Sequence, residues 1–269
     1  MNDNAKVFSL IEMREMMIDT SGYQMMEKAG EFTRILEMKA QDKENLPTSE
    51  TITIFTPEEI KIFKDEAFST FSNGKRKYQQ ATTYILMLNT GLRTGEVLGL
   101  LNSDIDLANR VMHLNRGVKE ISKRDGVTAE KGREVKVGKL KSATSKRDVP
   151  LNDTAIEMIL DLRKEFYFGE DSPLIPDENG NFTRPVNFRK RYYRILKATA
   201  IETKGLHSLR HTFATNLVNG INQPDGSIKS LTPRQVADLL GHTTSEITEL
   251  YYVKRDLTKL NGVTDGFEF

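Results

Sequence analysis

The chain has 269 residues, with 39 lysines and arginines against 38 aspartates and glutamates, and it contains no cysteine. This length permits one large domain or two small ones, with a core that needs no metal or disulfide. The lack of cysteine excludes thiol chemistry and cysteine-ligated zinc sites. Because no apolar run is long enough to span a membrane and no secretory signal is evident, we expect a cytoplasmic protein without a membrane partner.

Residues 1–50 are predicted to form a small helical segment followed by a linker. Apolar residues recur at helical spacing in two stretches, from Phe8 to Met17 and from Phe32 to Met38. The pattern stops at Pro47, and the polar residues Thr48–Glu50 follow it. We therefore predict a domain boundary here, with residues 51–269 forming a second, larger domain.

Two helices and a sharp corner are predicted at the start of the larger domain. The segment Thr56–Glu59 has the spacing of a capping box, with proline at the first helical position. Another helix is expected from about Arg76 to Asn89, followed by the sequence TGLRTGE. Its two glycines let the backbone turn so that Arg93 projects from the helix ends, while Glu96 belongs to the next helix. Taken alone, Arg93 is equally consistent with an ordinary surface arginine.

Apolar residues alternate with polar ones between Arg110 and Leu151, which is typical of β-strands. Strands are expected around Val111, at Val135 to Val137 and at Val149 to Leu151, and they would form a small antiparallel sheet. The turns that separate these strands are assigned to four glycines, Gly117, Gly126, Gly132 and Gly138. Two amphipathic helices should follow, the first at 153–166 with Asp153 as its N-cap and the second at 186–200.

Positive charge is concentrated in two stretches, although the chain as a whole is almost neutral. One lies between Arg116 and Arg147, and the other lies on the predicted helix at 186–200. Charged stretches are usually solvated faces, but two of them in one domain favour a phosphate-binding groove. The residues that we assign to DNA contact are Lys139, Lys146, Arg147, Arg189, Lys190, Arg191 and Arg194.

Three of the four histidines fall between Gly205 and Lys254. His207 and Arg210 are three residues apart, which places them on one face of a predicted helix. The next helix has a capping box at its start, at Thr232, and ends at a glycine, so His242 lies at a helix terminus.

Tyr251 lies nine residues after His242, beside a second tyrosine, Tyr252. Each of these side chains, taken singly, is more often structural than functional. In this order, however, an arginine, two histidines and a tyrosine can converge on one site.

The order His-x-x-Arg, Leu-Gly-His and tyrosine resembles the tyrosine recombinase (phage integrase) family. The run from Gly220 to Asp256 is most similar to integrases of integrative and conjugative mobile elements. The resemblance implies an α+β fold, a mostly helical catalytic domain with a small three-stranded antiparallel sheet. It also implies that residues 1–50 are part of a helical core-binding domain, which contacts DNA in this family.

The resemblance assigns catalytic roles to six residues, Arg93, Lys141, His207, Arg210, His242 and Tyr251. The two arginines would hold the non-bridging phosphoryl oxygens, with His242 as a further donor. Tyr251 would be the nucleophile, and His207 would accept or relay its proton.

Lys141 is expected to protonate the departing 5′-oxygen, by its spacing from the predicted strand at Val149. Lys139 and Lys146 remain alternatives for this role, because loop lengths vary here and a flexible lysine needs no fixed register. Glu96 would brace Arg93 from behind.

The implied function is site-specific recombination, in which DNA strands are cut and rejoined through a covalent 3′-phosphotyrosine link to integrate or excise a mobile element. Because the link conserves the bond energy, we expect no cofactor, ATP or metal. The sequence has no Walker phosphate loop and no paired acidic metal ligands, which argues against a metal-dependent nuclease.

Two alternatives stay open, a type IB topoisomerase-like enzyme that nicks and reseals one strand, and a non-catalytic DNA-binding regulatory fragment. The implied partners are double-stranded DNA carrying attachment sites and further copies of the chain in a synaptic tetramer. An excisionase or another accessory DNA-bending protein is a further candidate partner.

Overall fold

The computed structural model describes residues 53–123, 132–140, 146–222 and 226–242. Seven α-helices lie in this part of the chain: α1 Pro57–Ala67, α2 Thr82–Thr90, α3 Thr94–Leu98, α4 Asp153–Glu165, α5 Pro185–Ala198, α6 His207–Asn219 and α7 Pro233–Leu240. The same residues include seven strands: β1 Ile105–Asp106, β2 Val111–Leu114, β3 Arg116–Lys123, β4 Gly132–Lys139, β5 Arg147–Pro150, β6 Ile221–Asn222 and β7 Ile228–Lys229.

The strands form one three-stranded antiparallel sheet and two separate antiparallel pairs. The sheet has the order β1-β2-β5, with Met112 opposite Val149 in register, and the pairs are β3-β4 and β6-β7. The predicted α+β class, with a small three-stranded antiparallel sheet, is confirmed. One predicted strand has a different partner, because Val135 and Val137 lie in β4 and face β3. The sequence had not indicated a strand at β3.

The glycines that had been assigned to turns lie in strands where the structure describes them. Gly117 and Gly138 face each other across the β3-β4 pair, and Gly132 is the first residue of β4. The helix α3 packs against β3 so closely that a Cβ atom at Gly95 would lie 2.8 Å from the Val118 carbonyl oxygen. Glycine here permits a backbone contact between α3 and the strand. Gly126 lies outside the described residues.

The core is built around α2, most of whose side chains are buried. Tyr84 on α2 packs against Phe188 and Tyr192 of α5, with ring centroids 4.7 and 5.4 Å away. Phe63 of α1 lies on the same cluster, 6.2 Å from Tyr84. A smaller apolar cluster, which includes Ala214 of α6 together with Val236 and Leu240 of α7, holds the last two described helices together. Burial of these two apolar clusters holds the helices together, and so fixes the positions of their ends relative to one another.

Local capping signals set the starts of α1 and α7 as predicted. The Thr56 hydroxyl accepts a hydrogen bond from the Glu59 N–H, and the Glu59 carboxylate accepts one from the Thr56 N–H. Thr232 and Gln235 repeat this reciprocal arrangement at α7. Each box satisfies two donors that the helix cannot satisfy itself.

One predicted helix start and one predicted N-cap were wrong. The helix α2 begins at Thr82 rather than near Arg76, because Arg76 pairs with Thr70 in an isolated β-bridge and Gln80 has φ 55°, which interrupts a helix. The N-cap of α4 is Asn152, whose side chain accepts a hydrogen bond from the Ala155 N–H at 2.8 Å.

No helix among those that the structure describes is both long and apolar enough to cross a membrane. The boundary predicted after residue 50 lies outside the described residues and stays a prediction.

Candidate active site

The ends of four helices meet at one cluster of charged side chains. Arg93 is the N-cap of α3, Arg210 lies in the first turns of α6, and His242 follows the C-terminus of α7. The C-cap of α2, Gly91, supplies a main-chain carbonyl to the same cluster. The structure therefore brings together four residues predicted from the sequence, Arg93, Glu96, Arg210 and His242.

The corner between α2 and α3 depends on Gly91. Its φ of 63° lies in the left-handed region, and a Cβ atom at this position would be 2.5 Å from the Phe213 ring and 2.8 Å from Leu240. A larger residue would be both strained and too close to its neighbours. The corner sends the chain into an extended conformation at Arg93, with φ −72° and ψ 151°, before α3 begins.

The Glu96 carboxylate is the centre of the cluster and is shared by two arginines. It accepts hydrogen bonds from the Arg93 N–H at 2.9 Å and from Arg93 Nη1 at 2.8 Å. Arg147 Nη1 and Nη2 each lie 3.2 Å from one of the two carboxylate oxygens. Burial alone would raise the pKa of Glu96, but the hydrogen bonds and charges of Arg147 and Arg93 lower it overall. The carboxylate is therefore ionised at neutral pH.

Arg210 is fully buried, with 1% of its side chain exposed. Its Nη1 donates to the Gly91 carbonyl at 2.8 Å and its Nη2 donates to the Leu240 carbonyl at 2.7 Å. These carbonyls end α2 and α7, where the helix dipole concentrates partial negative charge. Arg93 Nη1 also approaches the Leu240 carbonyl, at 3.3 Å, but the Arg93 side chain is 37% exposed. Arg93 is thus the more accessible of the two predicted phosphate ligands.

His242 is held beside Arg210 by the end of α7. Gly241 adopts the left-handed conformation with φ 66°, and the His242 N–H then bonds to the Ala237 carbonyl at 2.9 Å. His242 Nε2 lies 3.0 Å from Arg210 Nη2. Burial lowers the pKa of His242 to about 3, with further contributions from Arg210 and Arg93. The ring is neutral at pH 7.

His207 lies at the start of α6 and its ring meets that of His211 edge to face, with centroids 4.6 Å apart. Packing of protein around the ring lowers the pKa of His207 to about 4, and Arg210 and Arg93 act in the same direction. The residue is nevertheless exposed to solvent, and the lowered pKa favours a neutral ring. The pKa of His211 is likewise lowered to about 4, by burial and by His207. No role had been predicted for His211, although the His-x-x-Arg-His spacing places it one turn from His207.

Arg147 was assigned to DNA contact, and the structure contradicts this. Its side chain is only 8% exposed, and its guanidinium bonds to Glu96 and, through Nε, to the Leu239 carbonyl at 2.7 Å. The signal that could have shown this is the alternation in β5, where Arg147 and the buried Val149 lie on the same face. Arg147 belongs to the interior of the cluster.

The other residues assigned to DNA contact divide into two groups. Arg191 is half-buried and donates through Nη1 to Gln80 Oε1, and its assignment stays a prediction. The remaining five are exposed and stay predictions: Lys139, Lys146, Arg189, Lys190 and Arg194. The two predicted catalytic residues Lys141 and Tyr251 lie outside the described residues.

Comparisons with solved structures show the class of fold. The chain is similar to the Tn1549 transposon integrase (residues 82–397) in complex with a circular intermediate DNA, with a TM-score of 0.61 and 18% identity over 100% of this chain and 95% of that one. It is also similar to the XerH recombinase bound to its difH substrate, with a TM-score of 0.52 and 19% identity over 83% of this chain and 55% of that one. The fold is that of a tyrosine recombinase catalytic domain.

The model of the phage integrase family matches residues 54–257, and the chain belongs to this family. A tyrosine recombinase XerC-like protein of Caldanaerobacter subterraneus subsp. tengcongensis is 29% identical over 217 residues, 73% of this chain and 52% of that protein. Tyrosine recombinase XerC of Chlorobaculum tepidum is 28% identical over 176 residues, 62% of this chain and 42% of that protein. The chain spans about half the length of these curated relatives. The predicted family is confirmed.

Proposed function

We propose that the protein is a site-specific recombinase that cuts and rejoins DNA through a covalent 3′-phosphotyrosine intermediate. The observation that carries this proposal is the convergence of Arg93, Arg210 and His242 around Glu96, from segments far apart in the sequence. Two guanidinium groups and an imidazole in one cluster form a group of donors suited to the oxygens of a phosphodiester.

The arginines would stabilise the charge that develops on the phosphoryl oxygens. Arg93 is accessible from solvent and can offer its guanidinium directly. Arg210 donates to two helix-terminal carbonyls, which hold its fork in one orientation. His242 accepts a hydrogen bond from Arg210 at Nε2, so Nδ1 carries the proton of the neutral ring and is the nitrogen that can donate. A preorganised set of donors needs little rearrangement when the substrate binds.

Tyr251 would attack the phosphorus, forming a phosphotyrosine ester with the 3′ side of the strand and releasing the 5′-oxygen. The tyrosine hydroxyl loses a proton during this attack, and the neutral ring of His207 has a free lone pair that can accept or relay it. Lys141 would supply the proton that the departing 5′-oxygen needs, with Lys139 and Lys146 as alternatives. Attack by a 5′-hydroxyl of another strand reverses these steps and completes strand exchange.

Double-stranded DNA is the partner that this proposal requires. The exposed residues Arg189, Lys190 and Arg194 lie on α5 and would contact its backbone, as would Lys139 and Lys146 near the site. Support comes from two similar proteins, the Tn1549 integrase and XerH, whose structures contain DNA.

By analogy with these proteins we propose a mobile element as the source of the DNA, and a tetramer of this chain on paired sites. Residues 1–50 would contribute a partial core-binding domain, and an excisionase or another accessory protein could bend the DNA.

The proposal can be tested without knowing the DNA target. A pool of random-sequence duplexes, each with a nick that releases a short strand after cleavage, is incubated with the protein. The reaction is then stopped with denaturant. Covalent complexes are recovered with the protein, and their DNA is sequenced to give a preferred duplex. We expect recovery with the wild-type chain and none with Tyr251→Phe.

The outcomes separate the alternatives. No covalent DNA with the wild-type chain, despite binding in a gel-shift assay, would favour the non-catalytic regulatory fragment. A covalent adduct that reseals its own strand and never joins a second duplex would favour the topoisomerase-like enzyme. Joining of two different duplexes would support the recombinase.

A further inference from the structure

Arg147 has the most constrained guanidinium in the cluster apart from that of Arg210. It lies on β5, its side chain is 8% exposed, and Nε donates to the Leu239 carbonyl at 2.7 Å. Nη1 and Nη2 point at Oε1 and Oε2 of Glu96, each at 3.2 Å, in a parallel two-bond fork. Such a fork fixes the plane of a carboxylate as well as neutralising its charge.

We propose that Arg147 is a positioning residue for the reaction, which acts by holding Glu96 and the C-terminal end of α7 in place. This inference rests on the proposed function, since it concerns the same site. Arg147 would not touch the substrate. It would set the position of Arg93 through Glu96 and the position of His242 through Leu239.

The route through Glu96 follows from how the carboxylate is shared. Arg93 Nη1 bonds to Oε1, and the Arg93 N–H bonds to Oε2, so both oxygens orient Arg93. A carboxylate that could rotate about its side-chain bonds would no longer hold Arg93 in one conformation. The fork from Arg147 removes this freedom. Without it, a buried carboxylate would also lose a major part of the positive charge that keeps it ionised.

The route through α7 follows from the chain order. Leu239 lies three residues before His242, and the adjacent Leu240 carbonyl accepts hydrogen bonds from Arg93 and Arg210. Arg147 itself lies six residues after Lys141, the predicted general acid. One side chain thus ties β5, which follows Lys141 in the chain, to the C-terminal end of α7, which His242 follows. Errors of about 1 Å in such a site can reduce a rate about 100-fold.

The test uses the full chain and the duplex selected by covalent capture, with five variants. Arg147→Met and Glu96→Gln remove one partner each, the double variant removes both, and Arg147→Lys keeps the charge without the fork. Arg163→Met is the matched control, because Arg163 on α4 also donates through Nε and Nη2, to the side chain and carbonyl of Asn102, away from the site. For each variant we would measure the thermal midpoint, DNA affinity, and the single-turnover cleavage rate at saturating DNA, well below the midpoint.

We expect Arg147→Met to cleave about 100-fold more slowly than wild type while binding the duplex nearly as well. Because Arg147 acts through Glu96, the double variant should be hardly slower than the slower single variant, and its midpoint should recover relative to Arg147→Met. Arg147→Lys should restore the midpoint more than the rate. Arg163→Met should lower the midpoint and leave the rate unchanged.

A wild-type rate for Arg147→Met, measured on folded protein, would overturn the inference and leave the proposed function intact. Rate losses that multiply in the double variant would also overturn it, because they would mean that Arg147 and Glu96 act independently. If Arg147→Met does not fold, the cleavage rates of Arg147→Lys and of the double variant decide the question instead. Wild-type rates in both would overturn the inference. Failure of the wild-type chain to form any adduct would overturn the proposed function itself, and the role of Arg147 with it.

Discussion

Arg210 Nη2 lies 3.0 Å from His242 Nε2, although the two residues are 32 positions apart in the chain. A guanidinium can only donate hydrogen bonds, so the imidazole nitrogen must accept, and the ring proton resides on Nδ1. Protonation of His242 would break this contact and place a second positive charge beside Arg210. The fold therefore holds His242 in its neutral form, and protonation of this ring would destabilise the folded protein.

We expect the free energy of unfolding to fall as the pH is lowered from about 7 to about 4. Folding lowers the pKa of His242 to about 3 and those of His207 and His211 to about 4. Unfolded histidines titrate near pH 6.5, so between these values the unfolded chain binds protons that the folded protein does not, and acid favours unfolding. Above the unfolded value all three rings are neutral in both states, and their contribution no longer changes with pH.

Chemical denaturation at a series of pH values would measure this dependence. His242→Gln should reduce the proton uptake on unfolding near pH 5 by about one proton. His113→Gln, which changes a histidine outside the site, is the matched control. An unaltered pH dependence in His242→Gln would contradict the assignment of a neutral, half-buried ring.

Replacement of Gly91 by alanine should destabilise the protein more than replacement of Gly74. Both glycines have positive φ, 63° and 79°, so the backbone strain of alanine is similar at the two positions. Only Gly91 has neighbours within 3 Å of a new Cβ atom, whereas Gly74 has none within 4 Å. We expect Gly91→Ala to cost about 1–3 kcal/mol more than Gly74→Ala, because Phe213 or Leu240 must move. Equal losses in urea denaturation would show that the α2–α3 corner can relax.

Conservative replacement of the two arginines should separate binding from chemistry. Lysine retains the charge but cannot reproduce the guanidinium fork, so Arg93→Lys and Arg210→Lys should bind the selected duplex with near wild-type affinity and cleave it about 10²–10³-fold more slowly. Arg210→Lys should also lower stability by about 1–3 kcal/mol, since a helix-terminal carbonyl loses its buried donor. Gel-shift and single-turnover assays make the comparison. A parallel loss of affinity and rate would instead mark the arginines as ordinary backbone contacts.

Tyr251, and not Tyr252, should form the covalent link. The spacing typical of the family, counted from His242 of the Leu-Gly-His sequence, selects Tyr251, and phenylalanine at this position removes the hydroxyl without removing the ring. Tyr251→Phe should therefore abolish the adduct on the nicked duplex, while Tyr252→Phe retains it. The reverse pattern in a denaturing gel would show that the nucleophile had been misassigned.

Lys141 can be tested as the general acid by changing the leaving group. A 5′-bridging phosphorothiolate departs without protonation, so Lys141→Ala should cleave this substrate almost as well as wild type and fail on the normal phosphodiester. Lys139→Ala and Lys146→Ala serve as comparisons. Equal defects of Lys141→Ala on both substrates would transfer the role to one of the other lysines or to none.

Much of the site follows from local sequence signals. Thr56 and Thr232 mark helix starts because a capping box is satisfied within four residues. The glycine after α7 and the His-x-x-Arg spacing are equally local, so the helix-end positions of Arg210 and His242 could be predicted. The family resemblance added the roles of Arg93, Arg210 and His242.

The errors lie where contacts between distant residues decide. Arg147 is 51 positions from Glu96, and the basic stretch around it outweighed the alternation in β5, which places Arg147 on the same face as the buried Val149. The strand β3 was missed because Gly117 suggested a turn, whereas this glycine lies within the strand, opposite Gly138. The close contact between β3 and α3 depends instead on Gly95 of α3. The half-buried position of Arg191 was likewise not predicted, because it follows from packing of α5 beside Gln80. The charge of a side chain does not show which way it faces in the fold, and a glycine does not show whether it lies in a turn or a strand.

The side chains of this cluster carry a net positive charge, which the partial negative charges of the helix-terminal carbonyls neutralise only in part. Arg93, Arg147 and Arg210 surround the single carboxylate of Glu96, and the neighbouring histidines are neutral, which leaves an excess of two positive charges in this group of side chains. A phosphodiester brings one negative charge, and attack by a phenolate would bring a second. The cluster is thus matched in charge to the five-coordinate phosphorus of the proposed reaction rather than to the DNA backbone at rest. Such an imbalance favours the transition state over the bound substrate.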